Sequence, residues 1–447
     1  MKRLSPCSLA VFVAAALICP RRASAVEPDW PAVEDHAIQL LQKYIRIRST
    51  NPPAVTREAA ELLRAEFARA GLNARLYESD PSGKVNLLVR LPGRDPSKKP
   101  LLLLNHMDVV PVDPKQWKED PFGAEIKNGI LWGRGSVDMK STAILQLTAL
   151  ILLKEQGIVP ARDILFLADC DEESDGRWGA AWMIRHHWSD LDPEYVLDEG
   201  GIGSTDLYAP GKTVFGISVG DKQVLWLKLR ATGTSGHGSQ PIADNANDIL
   251  LAAIAKARQF PASSKPDAVV EAMRGAVGTF AANKYMNAIQ QNTISLTTLR
   301  SGVGDPPKAN VIPSLAEATL DCRLLPGQNA EEFVSDIKAR INDPRVTVEQ
   351  LSEPADPGPS RIDTPLYAAI RKAILTSNPD AIVMPALVPY GTDNQKFRLK
   401  GAIGYGVMPM VVDATTMATM HSDSEHLPVD QFRKGLHIYY DILRSDF

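Results

Sequence analysis

Apolar residues recur every three or four positions over Val33 to Arg46 and Thr56 to Ala70, which predicts two amphipathic helices. The pattern then changes to continuous apolar runs at Val85 to Leu91 and Pro100 to Leu104, split by a Gly/Pro/Lys turn, and these read as strands. Beyond them the two kinds of element alternate. Ser141 to Gln156 is predicted as a buried helix, Asp163 to Ala168 as a buried strand, Ala180 to His187 as a helix and Tyr195 to Leu197 as a short strand. Unalternating strands between helices predict an α/β fold whose sheet is covered on both faces.

Near Gly220 the period shifts to two. Gln223 to Ala231 alternates, a Gly/Ser-rich turn follows, and Ala243 to Gln259 predicts a helix. Thr293 to Leu299, Ala316 to Leu324 and Val346 to Leu351 predict an antiparallel set, with the helix Ala330 to Ile341 between the last two. This is the order of a small two-layer α+β domain. Glu353 to Pro365 reads as a return linker, followed by helices at Pro365 to Ser377 and Gln431 to Arg444. The expected division is a catalytic domain in two parts, 26–219 and 354–447, with a lid of residues 220–353 inserted between them.

Residues 1–25 stand outside that scheme. Lys2 and Arg3 precede an apolar run from Leu9 to Cys19, and Ala23-Ser24-Ala25 supplies small residues for cleavage, the pattern of a secretory signal peptide. A secreted or periplasmic protein is expected, with no membrane contact after cleavage, because no later run reaches the ~20 residues of a span. A lipid anchor would want a small residue before its cysteine, and Ile18 precedes Cys19. Cys7 and Cys19 leave with the leader, and Cys170 and Cys322 are expected to pack as small apolar side chains. Loss of Lys2, Arg3, Arg21 and Arg22 takes the net charge from -4 to -8, so no basic field for nucleic acid exists.

Chemistry concentrates where apolar strands end. His106 and Asp108 close one strand, Asp138 precedes the buried helix, and Asp171, Glu172 and Glu173 close another strand. Asp198, Glu199, His421 and Glu425 add to the set. Carboxylates gathered on one face repel each other unless a cation sits among them, and imidazole with carboxylate donors suits zinc or a related divalent ion. Two strings are decoys. Gly216-Ile217-Ser218-Val219-Gly220 fits a serine nucleophile elbow, but an alternating strand follows where a helix is required. His186-His187 sits at a helix end, and is read as a surface cap.

Asn105-His106-Met107-Asp108, Trp132-Gly133-Arg134-Gly135 with Asp138, Asp171-Glu172-Glu173, Asp198-Glu199-Gly200 and His421, in this order, resemble the M20 family of metallopeptidases and aminoacylases. The resemblance implies a zinc-exopeptidase-like three-layer catalytic domain with an inserted lid and dimerisation domain. It implies two Zn2+ ions, with Co2+ or Mn2+ as substitutes, about 3.5 Å apart and bridged by Asp138. His106 and Glu199 would complete one site, with Asp198 as the alternative to Glu199, and Glu173 and His421 the other. Glu172 would be the general base, and Asp108 would orient His106. The pattern of His followed four residues later by Glu selects His421 and Glu425 over His426. A cis peptide is expected at Asp138-Met139.

Lid motifs resemble the family too: Gly236-His237-Gly238-Ser239, then Asn310-Val311-Ile312-Pro313 leading to Asp321-Cys322-Arg323. By that likeness His237 would polarise the scissile carbonyl, reaching across a homodimer formed through the lid. Arg323 and Asn310 would hold the substrate carboxylate, with Gly391 and Thr392 on a further substrate loop. Ser174-Asp175-Gly176-Arg177 departs from the family's glycine pair, and the lid looks enlarged between Pro261 and Asn292. The implied activity is hydrolysis of an amide beside a free carboxylate, in a small peptide or an N-acyl amino acid. The alternatives are a biosynthetic deacylase of acetylated or succinylated diamino acids, and a non-catalytic binding protein on the same fold.

Overall fold

Runs without alternation need apolar cover on both sides, and the computed structural model supplies it. It describes residues 27–174, 176–260 and 267–447, so the expected leader lies outside the described residues. Eight strands form the central sheet in the order Ala74–Asp80, Lys84–Leu91, Ile164–Asp169, Leu101–His106, Tyr195–Ser204, Ile403–Val412, Val214–Asp221 and Ile382–Val388. Leu101–His106 runs parallel to both its neighbours, and Ile403–Val412 runs parallel to Tyr195–Ser204. These four inner strands therefore deliver their carboxyl ends to one edge, where α/β folds place ligands.

Strand geometry sends successive side chains to opposite faces. Leu101, Leu103, Ile164 and Phe166 enter the larger core, against helices that include Trp30–Arg46, Lys140–Glu155 and Val429–Leu443. Leu102, Leu104, Leu165 and Leu167 enter a smaller core under the helix Ala180–Leu191. Helix, sheet and helix make three layers, the fold class the sequence predicts. The sheet gains four members beyond the predicted strands: Ala74–Asp80, Val214–Asp221, Ile382–Val388 and Ile403–Val412. The string around Ser218 lies inside one of these, with Ser218 Oγ donating to the Gly220 carbonyl at 3.4 Å and no helix following. Among the described residues no helix is long and apolar enough to cross a membrane.

The second sheet has four antiparallel strands in the order Thr293–Ser301, Leu315–Leu324, Gln223–Thr232 and Val346–Gln350. Leu225, Leu227, Leu229, Leu320 and Leu324 share a face covered by the helices Ala246–Ala257 and Ala330–Ile341, which is the two-layer lid. One part of the expected lid span lies elsewhere. The helices Ala268–Val277 and Lys284–Ala288 put Val270, Met273, Val277 and Met286 into the large core, the first of them against the strand Ile382–Val388. Of the apparent enlargement between Pro261 and Asn292, the described residues from Asp267 onward are thus an excursion back onto the catalytic domain. Its apolar stripe fits the exposed side of the sheet's last strand, and the lid core is already closed by its own two helices.

That packing carries a test. Met273 is fully buried, and its sulfur accepts from the Leu387 amide at 3.4 Å. Met273→Ala is expected to lower stability by about 2 to 5 kcal/mol and to speed native-state hydrogen exchange along Ile382–Val388. Exchange that rises only in the lid strands would show that the excursion belongs to the lid.

Candidate functional site

The catalytic edge is built from strand ends and the turns that leave them. His106 is the last residue of its strand, Glu199 lies within Tyr195–Ser204, and Glu172 and Glu173 sit on the turn after Ile164–Asp169. Asp138 precedes the helix Lys140–Glu155 and is followed by a cis peptide to Met139, as expected. His421 comes from a turn near the carboxyl terminus, with φ +60°. His106 Nε2 lies 3.1 Å from Asp138 Oδ1 and 3.8 Å from Glu199 Oε1. His421 Nε2 lies 2.9 Å from Asp138 Oδ2 and 3.2 Å from Glu173 Oε2.

Two sets of donors are close enough to share an ion, each within 4.8 Å: His106 with Asp138 and Glu173, and His106 with Glu172 and Glu199. Glu172 thus reaches the cluster as well. Glu173 Oε1 is buried and makes no hydrogen bond. Burial pushes the Glu172 carboxyl well above the usual carboxylate range; His106 opposes that, and the charges of Asp393, Glu173 and Asp138 add to it. Burial and then the Asp138 charge raise Glu199 in the same way. Burial would lower His421, yet its hydrogen bonds to Asp138 and Glu173 outweigh it and bring the imidazole to about 11. Against burial, the two imidazoles hold the Asp138 carboxyl well below the usual carboxylate range, and converging imidazole and carboxylate donors of this kind fit divalent cations.

Asp198 and Glu199 separate as strand alternation requires. Asp198 Oδ2 accepts from the Asn394 amide at 3.1 Å, which leaves Glu199 facing His106. Asp108 departs from its expected part. His106 Nδ1 pairs at 2.9 Å with the Asp108 backbone carbonyl, and the nearer carboxylate oxygen is 3.7 Å away. The carboxylate is engaged elsewhere, accepting from the amides of Glu172 at 3.3 Å and Glu173 at 3.1 Å and from Asn51 Nδ2 at 2.8 Å. It anchors the loop of the two glutamates, while its main chain fixes the histidine tautomer.

Glu425 is fully buried beside the cluster. It accepts from Arg134 Nη1 at 2.7 Å and from the amides of Gly135, Val137 and Asp138 at 3.0, 2.8 and 3.1 Å. The Gly-Arg-Gly motif is explained by this cradle: Gly135 has φ +83°, and a Cβ there would meet Val109 at 2.9 Å. His426 turns away to the Ser424 carbonyl at 2.7 Å and packs tilted against Trp132. His186 and His187 lie tilted against the Trp182 ring.

The lid residues do not join the cluster in this arrangement. His237 is exposed, and its Nδ1 accepts from the Ser239 amide and pairs with Ser239 Oγ at 2.7 Å. Asn310 is exposed and its backbone carbonyl accepts from the Gly238 amide. Arg323 is held in a fork by Asp321, with Nε to Oδ1 at 2.6 Å and Nη2 to Oδ2 at 3.0 Å. Both lie two apart on the outer face of Leu315–Leu324, a pairing that residue spacing alone does not signal. Thr392 is buried with its hydroxyl unpartnered, and a Cβ on Gly391 would meet Val224 of the lid at 2.8 Å.

The profile of the family described as Peptidase family M20/M25/M40 matches residues 102–445. The chain belongs to this family. It is 29% identical over 421 residues to mouse (Mus musculus) aminoacylase-1, covering 93% of this chain and 96% of that one. It is 26% identical over 441 residues to the mouse N-fatty-acyl-amino acid synthase/hydrolase PM20D1, covering 92% and 86%. A metallo-carboxypeptidase of the M20 family from Sulfolobus solfataricus shares the fold with TM-score 0.71 at 20% identity, over 92% of this chain and 99% of that one. The protein is accordingly a metal-dependent hydrolase of the M20 type.

Asn51, Lys84 and Asn86 support the site without drawing notice in the sequence, because each is one polar residue in an ordinary strand or turn. Glu425→Ala would leave the Arg134 guanidinium buried and unpaired, an expected loss of about 3 to 5 kcal/mol. Urea unfolding of the two proteins measures it. A change under 1 kcal/mol would mean that the cradle is not structural.

Proposed function

We propose that this protein is an exported dinuclear zinc hydrolase that cleaves an amide bond next to a free carboxylate in small peptides or N-acyl amino acids. The observation that carries the reading is the division of Asp138: Oδ1 faces His106 and Oδ2 faces His421. One carboxylate addressing two imidazoles from its two oxygens suits a bridge between two ions. His106, Glu199 and Asp138 would hold one ion, and His421, Glu173 and Asp138 the other. Co2+ or Mn2+ would be accepted by the same donors. When bound, the ions supply an acidified water and a polarised carbonyl.

Glu172 is the general base. It takes a proton from the attacking water, the amide C–N bond breaks, and the same carboxyl returns the proton to the leaving amine. The place of its carboxylate, within 4.8 Å of the donor atoms of His106 and Glu199, suits that carriage. Arg323 recognises the substrate carboxylate: Asp321 takes its Nε/Nη2 edge, and the Nη1 end is left to offer. Asn310 assists, and Gly391 and Thr392 line the substrate loop where it meets the lid. The names of the similar proteins, aminoacylase-1 and an N-fatty-acyl-amino acid hydrolase, support the acyl-amino acid class.

His237 needs a second copy of the chain to reach a carbonyl. Thr293–Ser301 is an edge strand with Leu296 and Leu299 exposed, and Leu251 and Val303 are exposed as well. An unpaired, partly apolar edge suits strand pairing across a homodimer. Export rests on the leader in residues 1–25.

Glu172→Gln is expected to abolish turnover with both ions retained, and Glu173→Gln to lose metal; equal metal loss in the two would reverse their roles. The decisive comparison is kcat/KM for an N-acetyl amino acid and its C-terminal amide. Amidation removes a charged hydrogen-bond partner from the Arg323 end, an expected loss of about 1.5 to 3 kcal/mol, and Arg323→Ala should erase the preference while lowering kcat as well as raising KM. Equal rates on acid and amide in the wild type would remove the carboxylate reading.

A further inference from the structure

The strand Lys84–Leu91 pairs with Ile164–Asp169 from Leu91 opposite Ile164 to Leu87 opposite Ala168, and there the ladder stops. Beyond it the partner chain leaves the sheet to carry Glu172 and Glu173. Side chains take over from the main chain at that point. Asn86 Oδ1 accepts from the Cys170 amide at 3.1 Å, and Asn86 Nδ2 donates to the Trp178 carbonyl at 3.0 Å, so one amide grips both stems of the loop. Two residues earlier on the same face, Lys84 Nζ donates to Asp171 Oδ1 at 2.5 Å.

Asp171 is where the loop turns, with φ +75°, a conformation that disfavours a side chain other than glycine, Asn or Asp. Its backbone carbonyl accepts from the amides of Ser174 and Gly176. Its carboxylate, 3% exposed, accepts from Lys84 and from Asn51 at 3.2 Å on one oxygen and from the Trp178 amide at 3.3 Å on the other. The glutamate amides are held from the far side by Asp108. Without Lys84 the Asp171 carboxylate would be a buried anion held by neutral donors alone.

We propose that Lys84 and Asn86 are positioning residues for Glu172: they clamp the loop by its stems and thereby set where the base stands over the metal cluster. This rests on the reading of Glu172 as the base. Neither residue touches the cluster, so the effect is on placement, and the chain's Lys84-Val85-Asn86 triplet serves the site from a strand that contributes no ligand.

Kinetics on an N-acetyl amino acid with saturating Zn2+ test it. Lys84→Met is expected to lower kcat by about 10- to 100-fold with KM nearly unchanged, the size of effect seen when a supporting hydrogen bond to a site is lost. Lys84→Arg should restore most of the rate. In metal-free protein, hydrogen–deuterium exchange in the peptide holding Glu172 and Glu173 should quicken in Lys84→Met, and exchange in the helix Lys140–Glu155 should not. Should Lys84→Met fail to fold, Lys84→Gln is read the same way. An unchanged exchange rate, or a loss carried by KM, overturns the proposal. If Glu172→Gln stays active, the base reading fails instead, and the exchange result still decides whether the clamp exists.

Discussion

Carboxylates brought out of water onto one face raise each other's energy, and everything at the carboxyl edge of the central sheet is arranged around that repulsion. Asp138, Glu172, Glu173 and Glu199 converge around His106 and His421. Such a set is tolerable when cations occupy it, and the metal-dependent chemistry of the family follows from that requirement.

The scaffold answers with rigid supports that carry no ligand themselves. Glu425 binds Arg134 and three main-chain amides, which fixes Asp138 from behind. Asp108 holds His106 by its carbonyl and the glutamate loop by its carboxylate. Lys84 and Asn86 hold the same loop from the neighbouring strand. Each support replaces water around a charged or main-chain group with a fixed partner, which is how geometry survives in a site that must also admit substrate. The lid is built differently, with its own core and its own chemistry kept on exposed positions such as His237.

Legibility followed from how local each signal was. The strand Leu101–His106 could be read because apolar runs ending in His and Asp are unusual, and the helix Lys140–Glu155 because its apolar positions surround it. Ile382–Val388 and Ile403–Val412 were missed, since proline and glycine interrupt runs that pair only through distant strands. The excursion Ala268–Val277 read as lid because chain order was the only guide, whereas its partner surface lies over a hundred residues later.

The α/β and α+β halves, the cation-demanding set of acids and histidines, and the family are legible in the residues alone, because period and residue type are properties of short stretches. How those residues are used is set by the folded chain. It turned Asp198 to Asn394 and Glu199 to His106, gave the Asp108 carboxylate to the loop amides, closed Arg323 onto Asp321, and brought Lys84 and Asn86 to the stems of the catalytic loop. These are choices among equally polar partners. They are settled by which donor the folded chain brings within hydrogen-bond distance, a quantity that no local pattern encodes.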